Sequence, residues 1–174
     1  MTHQKGRPKH TTGQAITLSD KELKRVESVI ASGNHPIRNQ ALLTLSFKLG
    51  LRIKELATLN IDDVYQNGKI KSTLHLTSDI TKGAKHRDIA LTNPKVITDL
   101  LALIKQRQLE DVIFNAQSPL FKSQKGSRFS SNALSRVLKD IYLATGLDKA
   151  SSHSGRRTLI TKLAEANIDI NSIR

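Results

Sequence analysis

The sequence has no cysteine and no tryptophan. The missing thiols exclude a disulfide scaffold, a thiolate metal site and a cysteine nucleophile, and they fit a reducing compartment. Aromatic residues are only 3% of the 174 positions. Leucine, isoleucine, valine and alanine must therefore fill the interior, and a surface that stacks single-stranded bases on aromatic rings is disfavoured. No apolar run approaches the roughly 18 residues that cross a bilayer, and the N-terminus lacks the apolar centre of a signal peptide. There is no GxxxxGK[ST] loop, no GxGxxG turn, no HExxH pair and no GxSxG elbow. Those absences set aside P-loop, dinucleotide, zinc-protease and serine-hydrolase chemistry. The six histidines are scattered and no carboxylate pair stands out as a metal clamp. Any phosphate chemistry here has to be done by side-chain cations.

Acidic charge is also scarce. Fifteen Asp and Glu face 28 Lys and Arg, a net charge of +13. Such an excess suits an anionic partner, of which nucleic acid is the commonest. An anionic membrane surface fits less well, because no helical stretch sets a basic face against Trp, Phe and Leu. A soluble, cytoplasmic protein associated with the nucleoid is expected, with no membrane partner. Residues 1–17 read as a basic flexible tail in which Lys5, Arg7 and Lys9 are candidate DNA contacts. That tail either follows a phosphate backbone or is a solvated leader.

From Leu18 onward the pattern is helical. Ser19 and Glu22 form a capping-box pair ahead of Leu23, Val26 and Ile30. Pro36 suits the first turn of a second helix whose apolar face is Ile37, Ala41, Leu42, Leu45 and Leu49, with Gly50 as its C-cap. RIKELATL predicts a third, short helix, and NIDDV supplies turn and cap residues. Lys69 to Leu91 alternates as a strand pair and predicts a small antiparallel sheet or hairpin. Asn93-Pro94 opens a further helix. Ser130 or Ser131 opens another, with Leu134, Val137, Leu138 and Ile141 facing a core and Gly146 closing it. A last helix starts near Ser152 and is interrupted at Asn167. The fold class is α+β, mainly helical with a small antiparallel sheet.

Three clusters can hold a phosphate. In LGLRIKEL, Arg52 emerges beside a glycine turn at a helix start, where a guanidinium can grip two phosphate oxygens and Glu55 can orient it. Taken alone, the pair is an ordinary surface i, i+3 contact. In TKGAKHRDIAL, Lys82 sits at a turn that can carry it to a phosphate, with Lys85 and Arg87 placed to grip flanking ones. The bland alternative is a solvated turn. In HSGRR, His153 and Arg156 are three apart and share a helix face, with Arg157 beside them. HxxR alone is a weak signal in so basic a chain.

Together, the order GLRxxEL, basic β-turn lysine, HxxRR resembles the catalytic domain of the tyrosine recombinases, or phage integrases. The similarity runs from about Leu18 to Arg174 and takes in the Asp62-Asp63 pair and LAEANIDINSIR. It implies the DNA breaking-rejoining fold and double-stranded DNA as partner. It places Arg52 and Arg156 as catalytic arginines, Lys82 as the hairpin lysine and His153 as the first residue of the HxxR box. Arg157 occupies a position where many members have histidine. No metal or other cofactor is implied. Two arginines bind the extra negative charge of a five-coordinate phosphorus, lysine protonates the leaving 5′ oxygen, and histidine acts as acid, base or hydrogen-bond donor.

The nucleophilic tyrosine of that family follows the HxxR box. Here the only tyrosines, Tyr65 and Tyr142, precede it, and Tyr142 reads as a packing residue. The expectation is a catalytic domain over residues 18–174 that is incomplete at its C-terminus and binds DNA without cleaving it. The full-length protein is expected to be tetrameric on DNA and this fragment monomeric. The alternative is a non-catalytic DNA-binding regulator derived from a recombinase.

Overall fold

The computed structural model describes residues 15–77 and 86–168. Seven helices and four short strands run through them in the order α1 (Asp20–Ser32), α2 (Pro36–Lys48), α3 (Ile53–Thr58), α4 (Ile61–Val64), β1 (Tyr65–Gln66), β2 (Lys69–Ile70), β3 (Thr73–Leu76), β4 (Arg87–Ala90), α5 (Pro94–Glu110), α6 (Ser131–Ala144) and α7 (Ser154–Glu165). Ser19 and Glu22 close the capping box of α1 from both sides. Asn93 caps α5 by accepting from the Lys95 and Val96 amides, and Ser130 caps α6. Each cap satisfies helix-end donors that the helix itself leaves open.

The second helix is central. Ala41, Leu42, Leu43, Leu45 and Phe47 are all buried, because α1, α5, α6 and α7 pack around it. A helix covered on so many sides needs apolar residues all round, and Ser46 and Thr44 are small enough to join them. Thr44 donates to Asp99 Oδ2 of α5 at 2.6 Å, which Lys95 also holds. Among the described residues no helix is long and apolar enough to cross a membrane.

The antiparallel pairing expected over Lys69–Leu91 is there as β3 with β4, and β2 inside that span pairs instead with β1, which precedes it. There are two separate two-stranded antiparallel sheets, β1 with β2 and β3 with β4. Asn67 and Gly68 form the first turn, at φ 52° and 77°. Asn-Gly tolerates that left-handed pair best, so the tight turn closes there. The stretch read as turn and cap residues is a one-turn helix, α4, with Asn60 as its N-cap.

Arg107 of α5 is buried and fully engaged. Its Nε donates to Asp111 Oδ2 at 2.7 Å and its Nη1 donates to the Pro119 and Leu120 carbonyls at 2.8 and 2.9 Å. Lys122 also holds Asp111. Burial pushes the Asp111 carboxyl up, but the hydrogen bonds and charges of Arg107 and Lys122 more than offset it, leaving it below the ordinary aspartate value of 3.8. A depressed folded pKa contributes stability that is present above the unfolded value and is lost as pH falls through the folded one. Asp111→Asn should therefore lower stability at neutral pH and flatten the loss of stability in the acid range below 3.8. Urea unfolding midpoints of both proteins at neutral and acid pH check this.

Candidate active site

The turn after α2 determines where the site lies. Gly50 adopts φ +62°, and a Cβ there would come within 3.0 Å of Leu159 Cδ2 and 3.6 Å of Arg156 Cγ. Only glycine suits both the left-handed backbone and the close approach of α7. Leu51 then turns fully inward, and Arg52 becomes the N-cap of α3 in extended backbone.

Glu55 on the first turn of α3 is completely buried. Its Oε2 accepts the Arg52 backbone N–H at 2.7 Å, and its Oε1 accepts Arg52 Nη1 at 2.9 Å. Arg87 Nη2 donates to Oε2 at 2.9 Å. A buried carboxylate is tolerated because both oxygens are engaged by charged or backbone donors. Arg52 remains about one-third exposed, whereas the Arg87 side chain is 6% exposed.

Arg156 reaches the same place from the other end of the chain. Its Nη1 donates to the Gly50 carbonyl at 2.8 Å. Burial holds its guanidinium below the ordinary arginine range, and the positive charges of Arg52 and Arg87 push further in that direction, against Glu55. Burial is also the main cause lowering Arg87, opposed by Glu55 and reinforced by Arg52. Arg87 and Arg156 nonetheless stay protonated at physiological pH. Three cations around one carboxylate leave a net positive, half-desolvated cluster, which is an environment that favours an incoming oxyanion.

Helix α7 is held against α2 with little clearance. A Cβ on Gly155 would lie 2.1 Å from Ser46 Oγ and 3.0 Å from both Phe47 Cδ2 and the Ser46 carbonyl carbon. Thr158 ties the other side: its hydroxyl accepts the Leu18 N–H at 2.9 Å and donates to the Ser154 carbonyl at 2.8 Å. His153 is the exposed N-cap residue of α7. It lines an open groove with Arg156, Arg157, Ile160, Thr161 and Ala15.

Of the residues singled out in the sequence, the structure gathers Arg52, Glu55, Arg87 and Arg156 into one cluster and sets His153 and Arg157 along the groove beside Arg156. Arg87 was expected at the phosphate backbone. It is instead turned inward and ion-paired to Glu55, because it pairs across from Leu76 on the buried face of β3–β4. The period-two pattern of Arg87, Ile89 and Leu91 carried that signal. Lys5, Arg7, Lys9, Lys82 and Lys85 lie outside the described residues. Tyr142 is fully buried, and burial pushes its phenol well above its ordinary value. Sequence reasoning missed Arg128. Its Nη1 donates to the Ala57 and Leu59 carbonyls at 3.1 and 3.0 Å, fastening the C-terminal end of the helix that carries Glu55.

The phage integrase family model matches residues 17–174. The chain belongs to the phage integrase family. This integrase-family chain is 29% identical over 178 residues to the tyrosine recombinase XerD of Rickettsia prowazekii, covering 96% of itself and 56% of that protein. It is 26% identical over 159 residues to the tyrosine recombinase XerA of Pyrococcus furiosus, covering 91% of itself and 51% of the relative. It thus spans about half the length of these relatives. Among solved structures, it superposes on XerA recombinase with a TM-score of 0.72 at 24% identity, covering 92% of this chain and 55% of that one. It superposes on XerH site-specific recombinase bound to palindromic difH substrate, a post-cleavage complex, at 0.67 and 26% identity, covering 88% and 43%. The mainly helical architecture with small antiparallel sheets is that of tyrosine-recombinase domains.

Proposed function

We propose that this chain is the phosphate-gripping part of a site-specific recombinase, acting on double-stranded DNA by phosphoryl transfer through a 3′-phosphotyrosine. The observation that carries the reading is the meeting of Arg52 and Arg156 at Gly50, with Glu55 behind them. The family membership and the DNA-bound XerH relative support it. In the reaction a tyrosine hydroxyl oxygen attacks phosphorus, the bond from phosphorus to the 5′ oxygen breaks, and that oxygen leaves with a proton. Arg52 and Arg156 would bind the non-bridging oxygens as their charge grows. Lys82 would donate the proton, and His153 would bond or exchange protons at the same centre. Arg157, Lys85, Lys5, Arg7 and Lys9 would hold flanking phosphates. Residues 18–174 would act as one catalytic domain, and this chain would be monomeric in solution.

Neither tyrosine of this chain suits the attack. Tyr142 is buried, and Tyr65 is part of β1 packed against the core. The chain as given should bind duplex DNA without forming a covalent adduct. Binding of a fluorescent duplex should weaken with salt, the slope of log affinity against log salt being about −0.9 for each phosphate neutralised. Incubation with nicked suicide duplexes should give no protein–DNA band on denaturing gels. Salt-independent binding contradicts the first claim, and a covalent band contradicts the second.

A further inference from the structure

A buried arginine in a strand needs a reason. Burying an ion pair is seldom better for stability than an apolar residue of similar volume. Arg87 is 6% exposed on its side chain and opposite Leu76, where leucine or methionine would complete the sheet face. Among its contacts is the carboxylate that also holds Arg52.

The division of the two oxygens matters. Oε2 takes Arg87 Nη2 and the Arg52 backbone N–H, while Oε1 takes Arg52 Nη1. Arg87 thereby fixes the plane of the carboxylate and so the direction in which Arg52 is held. It also shares the negative charge. With Arg52 alone, Glu55 would neutralise the guanidinium that has to bind an oxyanion. With Arg87 on the same carboxylate, the cluster keeps a net positive charge toward Arg156, which feels both arginines. Among the described residues Arg52 Nε and Nη2 donate no hydrogen bond, so they remain available to a ligand.

We infer that Arg87 is a positioning residue for the phosphate site: acting through Glu55, it orients Arg52 and preserves its charge for an oxyanion, without contacting DNA. Arg87 is also the first residue of β4, so the same ion pair ties the start of that strand to Arg52. The inference rests on the proposed DNA-phosphate function of the cluster.

The test is a double-mutant cycle on the whole chain, with a random-sequence duplex titrated at several salt concentrations. Arg52→Ala, Arg87→Met and the double variant are compared with wild type. Arg87→Met should lose about tenfold in affinity, as Arg52→Ala does, with a salt slope shallower by about 0.9 in each. The double variant should be no worse than Arg52→Ala. Additive losses, with the slope shallower by roughly 1.8, would mean that Arg87 grips DNA itself and would overturn the inference. An unchanged affinity in a folded Arg87→Met would overturn it too, by making Arg87 purely structural. Should Arg87→Met not fold, Arg87→Lys takes its place: the charge is kept but the planar fork is lost, so partial recovery is expected. A second readout needs no DNA. The Arg52 Nε–Hε resonance should report an ordered side chain in wild type and a freely rotating one in the Arg87 variants; equal order in both would sink the inference. If Arg52→Ala leaves DNA affinity untouched, the proposed function fails, and the resonance alone decides the role of Arg87.

Discussion

Replacing Glu55 with alanine is expected to cost about 3–5 kcal/mol of folding stability, the range for removing one partner of a buried ion pair. The loss has a specific origin. Arg87 would remain buried without the carboxylate that compensates it, and the Arg52 backbone N–H at the start of α3 would lose its acceptor. A domain stable by roughly 5–15 kcal/mol has little margin for this. Glu55→Gln should be milder, since an amide oxygen still accepts one guanidinium hydrogen. The Asp20–Lys162 pair is the contrast: it lies on the surface, and Asp20→Ala should leave the unfolding midpoint where it is. Guanidinium chloride unfolding of the three variants checks the order. Equal midpoints for Glu55→Ala and Asp20→Ala would refute the account of the buried carboxylate.

Gly155→Ala should destabilise by about 1–3 kcal/mol, the range for overpacking a tight interface. The sign is informative, because two effects oppose each other. Alanine is a better helix former than glycine by about 1 kcal/mol, and Gly155 is in the first turn of α7. The added methyl, however, would lie 2.1 Å from Ser46 Oγ and 3.0 Å from the Ser46 carbonyl carbon. Rotating the serine relieves only the first contact, so backbone must move and the steric term wins. Displacing α7 also draws Arg156 away from the Gly50 carbonyl, so DNA affinity should fall with stability. Adding Ser46→Ala should recover part of the stability. A Gly155→Ala protein more stable than wild type would contradict the close packing of α7 on α2.

The long helices were legible because several cues agreed. In α1 the Ser19–Glu22 cap precedes Val26 and Ile30 at helical spacing, and in α6 the Ser130 cap precedes Leu134, Leu138 and Ile141. The strand region was harder. Asn67-Gly68 is a strong hairpin signal, yet the strands it joins, β1 and β2, are only two residues each and leave almost no alternation to read. Short pairings are decided by what they pack against, which local sequence does not carry. Within the candidate site, Arg52 and Glu55 were readable from their i, i+3 spacing. Their meeting with Arg156 was not, because it depends on the left-handed turn at Gly50 and on Gly155 fitting against Ser46. That convergence was expected only through resemblance. The burial of Arg87 was not legible, because a cationic side chain ordinarily faces solvent. Its position opposite Leu76 instead makes it an interior residue that needs a carboxylate.

The most direct measurement is diffraction from crystals of this chain bound to a short DNA duplex. The account predicts one phosphate whose non-bridging oxygens accept hydrogen bonds from both Arg52 and Arg156, with Arg87 behind them on Glu55. Arg52 and Arg156 engaging different phosphates, or either one facing away from the DNA, would contradict it.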